Sequence, residues 1–586
     1  MHRTLASLLI CVLLVAGCAG PAASDPPAPA SPAASPSTSP QATPGPTASA
    51  TPVVIELNAV AVTVSDRLRV RSEPRVSDDS AMYDPLLPIG TELFVLDGPV
   101  SASGFSWYKI APVSFAELGG PGYGWVASAG KDGEPWIAPA QGPGAGLAIA
   151  MTDVSRAAAD PADARSVAAS INSFAFDLHQ RLLADPNLEL GDKNLVFSPT
   201  SIAFALAMAR AGARGATAAE MDSVLRTPSG WERLGPGLNA LDQALNARNA
   251  SWVEGEGSNE LILRLANAPF AQRGWTIEPA YLDALGSTFG TGLRLVDYAG
   301  EPEAARNAIN SWVNDRTAGR IPTLLQKDNV TPDTRLTLVN AIYFKAQWRD
   351  FFWEDATKPA PFTRLDGSRV DVPMMEQWGG VGHVPYARGE GWQATELRYL
   401  GPGDAPHLAM LLVLPDDLRS FEAGLSSEQL ARITAALTKE RTSLATFTPC
   451  PGVPANQQDA GCYPYDLNLL MPHFSVGTRA ELGPILAALG MPLAFDPQGA
   501  DFSGIHSPEA LFIARVIHEA NIDVDEKGTE AAAATAVGMD TGGGPSPIKR
   551  ITLRLDRPFL FFVRDVETGA VLFMGRITDP SVRTGS

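Results

Sequence analysis

Successive side chains of a β-strand point to opposite faces, so a strand with one buried face shows up in sequence as two alternating sets of residues. Residues 526–540, Glu-Lys-Gly-Thr-Glu-Ala-Ala-Ala-Ala-Thr-Ala-Val-Gly-Met-Asp, divide in this way. One set is Thr529, Ala531, Ala533, Thr535, Val537 and Met539; the other is Glu530, Ala532, Ala534, Ala536, Gly538 and Asp540. Both carboxylates of the run from Thr529 therefore share one face, and the larger apolar side chains share the other. Small residues also suit a strand that must pass between neighbours in a packed sheet, where a bulky or charged side chain would obstruct it or cost several kcal/mol to bury. We read the segment as a strand withheld from its own sheet until the chain is cut beyond it. Alanine is also the best helix former, and local propensity alone leaves a helix equally open. Nearer the N-terminus, Leu68-Arg-Val-Arg-Ser-Glu-Pro74, Leu87-Pro-Ile-Gly-Thr-Glu-Leu-Phe-Val95, Trp107-Tyr-Lys-Ile110 and Gly124-Trp-Val-Ala127 are short alternating runs separated by turn residues. They predict a small β-barrel. The Trp107, Tyr108 and Trp125 aromatics fit either its core or a ligand platform.

The apolar stretch Leu5 to Ala16 after Met1-His-Arg is too short for a membrane span of ~20 residues and has the form of a signal peptide. From Pro21 to Pro52 the chain is almost entirely Pro, Ala, Ser and Thr. Such a segment buries no core and is expected to be an extended tether. A second Gly/Pro/Ala-rich stretch near residues 138–148 reads as a linker.

The 586 residues carry a net charge of −19, which argues against nucleic acid and against an electrostatic hold on anionic lipid. The sequence has no His-Glu-x-x-His, no phosphate-cradling Gly-x-x-x-x-Gly-Lys-Ser/Thr and no Gly-x-Ser-x-Gly elbow. Among its 7 histidines, His518 could be mistaken for a catalytic base. Asn249-Ala-Ser and Asn329-Val-Thr have the form of glycosylation sequons.

Several motifs resemble, in order, those of the serpin family. They include Asn194-Leu-Val-Phe-Ser-Pro-Thr-Ser-Ile-Ala203, Gly212-Ala-Arg-Gly-Ala-Thr-Ala-Ala-Glu-Met221 and Leu338-Val-Asn-Ala-Ile-Tyr-Phe-Lys-Ala-Gln-Trp348. Val372-Pro-Met-Met375, Met410-Leu-Leu-Val-Leu-Pro-Asp416, Ala500-Asp-Phe-Ser-Gly-Ile505, Val516-Ile-His-Glu-Ala520 and Asp556-Arg-Pro-Phe-Leu-Phe-Phe-Val563 continue the series. The resemblance covers residues of about 165–581 and implies an α+β fold of three β-sheets and about nine helices with an exposed reactive loop. It also implies suicide inhibition of a protease rather than enzyme activity. The protease would form an acyl-enzyme with the loop, and the cut strand would then enter the central sheet. On this pattern Glu526, Gly528, Thr529, Glu530, Ala531, Ala532, Ala533, Ala534 and Thr535 form the hinge, and the scissile bond is Gly542–Gly543, with cleavage after Met539 or Thr541 as the alternatives. Ser198, Ser201, Asn340 and His518 would form the shutter beneath the opening sheet, with Trp348 in the breach at its top. The loop Met539-Asp-Thr-Gly-Gly-Gly-Pro-Ser-Pro547 offers no basic or aromatic side chain at the cleavage position. This disfavours a trypsin-like target and favours an elastase-like or subtilisin-like serine protease, with a cysteine protease also open. The alternative is a non-inhibitory serpin-fold binding module; a wall-binding adhesin with an incidental serpin part is a third reading.

Leu14-Val-Ala-Gly-Cys18 resembles a bacterial lipobox, which implies lipidation of Cys18 and anchoring on the extracytoplasmic side of the membrane. The alternating runs at 53–140 resemble a bacterial SH3-like domain, either a spacer or a module for peptidoglycan or a peptide. Cys450 and Cys462 bracket a loop without apolar periodicity, and in an oxidising compartment a disulfide between them is expected. No metal site is expected of two cysteines without neighbouring histidines. The expected order is signal peptide 1–17, tether 18–52, SH3-like domain 53–140, linker 141–164 and serpin domain 165–581, in a monomer without a cofactor.

Overall fold

The computed structural model describes residues 55, 60–112, 123–131, 133–139, 147–152, 154–227, 230–254, 257–378, 384–402, 407–443, 465–530 and 549–582. Cys18, Cys450, Cys462, Ala531 to Thr535, Gly542 and Gly543 lie outside these residues.

The N-terminal alternating runs form one antiparallel sheet. Its strands are β1 (Val60–Thr63), β2 (Leu68–Arg71), β3 (Met82–Leu87), β4 (Glu92–Ala102), β5 (Phe105–Pro112), β6 (Gly124–Ala127) and β7 (Ile137–Pro139), in the order β3-β2-β6-β5-β4-β1-β7. Alternate residues Leu68, Val70, Leu93, Val95, Tyr108, Ile110 and Val126 close into its core. Trp107 and Tyr108 are buried and Trp125 is half-buried, so the first two serve packing.

Nine α-helices occur among the described residues: α1 (Pro161–Ala184), α2 (Pro199–Gly212), α3 (Gly215–Val224), α4 (Trp231–Asn246), α5 (Pro279–Phe289), α6 (Pro302–Arg316), α7 (Leu418–Ala423), α8 (Ser427–Ser443) and α9 (Gly483–Leu489). They surround three further sheets. The central one contains β8 (Ala148–Ala150), β11 (Gly257–Gln272), β12 (Leu293–Val296), β13 (Leu336–Gln347), β20 (Phe474–Glu481), β21 (Val516–Val524) and β22 (Gly528–Thr529), in the order β20-β21-β22-β13-β11-β12-β8, with β10 (Ala250–Glu254) paired to β11. The second runs β14 (Lys358–Thr363), β15 (Arg369–Trp378), β19 (Tyr465–Pro472), β23 (Lys549–Arg554). The third is ordered β16-β17-β18-β24-β25-β9, from Tyr386–Gly389, Trp392–Arg398, Leu408–Pro415, Phe559–Asp565, Val571–Ile577 and Leu195–Phe197. The three sheets and nine helices agree with the fold that the sequence motifs imply.

The central sheet is buried on both faces, and β13 shows why. Its run Leu-Thr-Leu-Val-Asn-Ala-Ile-Tyr-Phe-Lys-Ala-Gln is almost uninterrupted in burial. Leu336, Leu338, Ile342, Phe344 and Ala346 join the main core, whereas Val339 and Ala341 pack with Ile309, Trp312 and Val313 of α6. Behind the sheet lies α2, every residue of which is buried. Its start is set locally: Ser198 caps it by accepting from the Ser201 amide, and Pro199 occupies the first turn, where no amide hydrogen is needed.

The described residues of the segment expected to be a linker, 147–152 and 154–164, belong to the fold. Ala148–Ala150 adds antiparallel to β12, pairing Ile149 with Arg294, and Arg156 bonds Asp242 at 2.6 Å and the Thr288 carbonyl at 2.8 Å. Gly292 permits this, because a Cβ there would meet Ile149 Cγ2 at 2.5 Å and the Ala150 carbonyl at 2.6 Å. Asn249, the first sequon residue, is a structural clamp: its amide group bonds both the amide and the carbonyl of Leu263.

Candidate functional site: the mouth of the central sheet

β13 and β21 run parallel and pair directly over only part of their length, Leu338 with Val516 through Ala341 with Glu519. Beyond that point they diverge, and β22 occupies the gap. Thr529 pairs antiparallel with both Ala346 of β13 and Val524 of β21, and Gly528 pairs with Gln347. Of the segment read as a strand withheld from the sheet, the residues after Glu530 fall outside the described ones, whereas Gly528 and Thr529 already lie in the sheet. Tertiary contacts hold them there. The buried Thr529 hydroxyl is 2.8 Å from the Tyr399 hydroxyl, and Tyr399 stacks on Trp348 with ring centroids 4.5 Å apart. Gly528 sits against β13 so closely that a Cβ would lie 2.1 Å from the Ala346 carbonyl oxygen.

The preceding turn is tied down group by group. The Asp525 carboxylate accepts from the Lys527 and Gly528 amides, and burial pushes its pKa up. Trp348 donates its indole N–H to the Asp525 carbonyl at 3.0 Å and its amide to the Lys527 carbonyl at 2.8 Å. Burial alone would raise the Glu526 carboxyl, but the Thr357 hydroxyl and the His473 ring, 2.6 Å away, hold it below its ordinary value. Glu530 then turns the chain out of the sheet at φ 54°, a left-handed conformation that side chains with a Cβ rarely adopt. Its carboxylate is 2.8 Å from Arg320 Nε on the face opposite Thr529, as the alternation required.

The four polar residues assigned beneath the sheet come together. The Ser198 amide donates to His518 Nε2 at 3.0 Å, so the ring proton resides on Nδ1 and is donated to the Asn340 side-chain carbonyl. Asn340 Nδ2 in turn donates to Ser201 Oγ at 2.8 Å and to Asn267 Oδ1 at 2.9 Å. Burial lowers the His518 pKa to about 3, so the ring is neutral and cannot serve as a base with a poised proton. Asn267 was not singled out by sequence; an asparagine inside the apolar run Leu265-Ala-Asn-Ala-Pro-Phe270 of β11 is the signal that marks it. The network joins α2, β11, β13 and β21 below the point where β13 and β21 diverge.

Above Ala341 and Glu519 the two strands no longer pair with each other, Gly528 and Thr529 lie between them, and the Asn340–His518 bridge joins them below. The comparisons accord with that geometry. Residues 169–580 match the family model described as serpin (serine protease inhibitor). The chain belongs to the serpin family. It is a family of protease inhibitors, not of enzymes. An uncharacterized serpin-like protein of Thermococcus kodakarensis is 35% identical over 418 residues, covering 71% of this chain and 86% of that protein. Human leukocyte elastase inhibitor is 35% identical over 407 residues, 70% of this chain and 97% of the inhibitor. Among solved structures, uncleaved ovalbumin aligns with a TM-score of 0.56 at 27% identity over 71% of this serpin and all (100%) of that chain. The thermophilic serpin tengpin in its native state aligns with a TM-score of 0.57 at 23% identity, over 73% and 96% of the two chains, a likeness of fold.

Proposed function

We propose that this serpin is a membrane-tethered suicide inhibitor of an extracytoplasmic serine protease, with an elastase-like or subtilisin-like target favoured over a trypsin-like one. The observation that carries the reading is the seating of Gly528 and Thr529 between β13 and β21, followed in sequence by the small residues Ala531 to Ala534. The protease nucleophile would add to the Gly542 carbonyl, the bond to Gly543 would break, and the new amine would leave with a proton. The freed arm would then continue the antiparallel pairing that β22 has begun, carrying the acylated protease with it. About fourteen residues at ~3.3 Å each span roughly 45 Å, enough to cross the sheet. Human leukocyte elastase inhibitor, named for elastase, is a relative at 35% identity, which supports the target class. In the same reading Cys18 carries the lipid anchor, Cys450 and Cys462 form a disulfide, and residues 53–140 act as an SH3-like spacer or wall-binding module.

The test is to mix the purified chain with elastase-like, subtilisin-like, trypsin-like and papain-like proteases. An SDS-resistant complex with a released peptide beginning at Gly543 is expected. Clean cleavage without a complex by every protease would overturn the inhibitory reading.

A further inference from the structure

A cavity of about 650 Å³ lies between the N-terminal sheet and the edge of the central sheet. The turn Pro88 to Glu92 roofs it, with Tyr123 to one side. Its floor includes Phe204 of α2, Leu265 and Asn267 of β11, and Arg294 of β12. The size falls within the range of small-molecule sites.

The cavity wall is rich in polar groups that the protein leaves without partners. Arg294 is 3% exposed and its Nη1 has no hydrogen-bond acceptor. Its guanidinium lies 4.7 Å from the centroid of Trp312, another lining residue. Burial, with repulsion from Arg316, lowers the Arg294 pKa to about 9, opposed by Glu92. Glu92, however, already forms an ion pair with Arg316. Thr152 Oγ1, Asn267 Nδ2 and Trp312 Nε1 also lack partners, so four of the twelve such buried atoms among the described residues belong to residues of this one wall. A buried charge left in that state costs several kcal/mol, and an anion brought into the cavity would remove the cost. Charge points the same way: Arg156, Arg264, Arg294 and Arg316 stand against Glu92, Asp242 and Asp315. The Arg156–Asp242 pair at 2.6 Å is already satisfied. Phe204, Met208, Leu265 and Phe289 supply apolar lining.

We propose that this cavity is a binding site for an organic anion, a carboxylate or phosphate head group on an apolar body, with Arg294 as the head-group ligand. The site is independent of the inhibitory reading. Its occupant would touch both the N-terminal sheet and, through Asn267, the polar network beneath the mouth.

The experiment is isothermal titration of the full chain with decanoate, decyl phosphate, decanol and decylamine. At least one of the two anions should bind roughly tenfold or more tighter than decanol, and the tighter of them identifies the head group. Decylamine should bind no more tightly than decanol. Arg294→Met, checked for folding by circular dichroism, should weaken anion binding about tenfold or more. Equal binding of anion and alcohol, no anion binding up to about 1 mM, or unchanged affinity in a folded Arg294→Met would each overturn the proposal. If that variant does not fold, hydrogen exchange on the wild-type chain decides: anion-dependent protection of Gly290 to Arg294 supports the site, and its absence refutes it.

Discussion

Asn340 and His518 are partners twice over, opposed in register across the parallel strands β13 and β21 and joined side chain to side chain by the His518 Nδ1 proton. The double link lies one residue below the last direct pair, Ala341 with Glu519, beyond which the strands diverge. Asn340→Ala would leave His518, Ser201 and Asn267 with unsatisfied groups in a dry interior. A loss of roughly 2–4 kcal/mol is expected, from ~1–3 kcal/mol per orphaned group with partial relaxation. Urea unfolding measures it, and the half-life of inhibitory activity at 37 °C should shorten in parallel as the sheet parts more readily.

His518 also gives stability a pH signature. Its pKa is lowered by burial from 6.5 to about 3, so below pH 6.5 the unfolded chain takes up a proton that the native chain refuses. The contribution is therefore complete above pH 6.5 and is lost as pH falls towards 3, at up to about 1.4 kcal/mol per pH unit. Glu519, Asp525 and Glu530, raised mainly by burial, act in the opposite sense. The expected observation is a shallower fall between pH 6.5 and 4.5 in His518→Gln than in the wild type, measured by denaturant midpoints.

Thr529→Arg should separate binding from trapping. The native side chain is 1% exposed beneath Tyr399, and a guanidinium there would be buried without a carboxylate. The variant is expected to be cleaved by the target protease at a comparable rate but to form at least about tenfold less SDS-resistant complex, since the arm must insert before deacylation. Undiminished complex formation would refute insertion through this position.

Gly528→Ala tests whether the seated pair matters before cleavage. The added methyl collides with the Ala346 carbonyl, a backbone atom that cannot rotate away. Displacement of β22 should follow, at a cost of about 1–3 kcal/mol to the local structure. Hydrogen exchange at residues 346–348 and 526–530 should rise while the N-terminal sheet is unaffected.

Much of this site was legible in the chain because its signals are local. The alternation at Thr529 and Glu530 assigned them to opposite faces, and they lie on Tyr399 and Arg320 respectively. The serpin motifs brought Ser198, Ser201, Asn340 and His518 to one network. What sequence did not disclose depends on distant partners. The seating of Gly528 and Thr529 rests on Tyr399, about 130 residues away. The clasp of Glu526 rests on Thr357 and His473. Ala148–Ala150 reads as linker because three small or apolar residues carry no period of their own, and only the exposed edge of β12 makes them a strand.

That short strand changes how the molecule meets copies of itself. An uncovered β12 would present a row of amides and carbonyls, a template on which another chain's strand could be built. With Ala148–Ala150 laid along it, the edge is reduced to three residues continuous with the N-terminal segment. A truncated chain beginning at Pro161 would lose this guard, and the side of the sheet remote from β22 would become sticky.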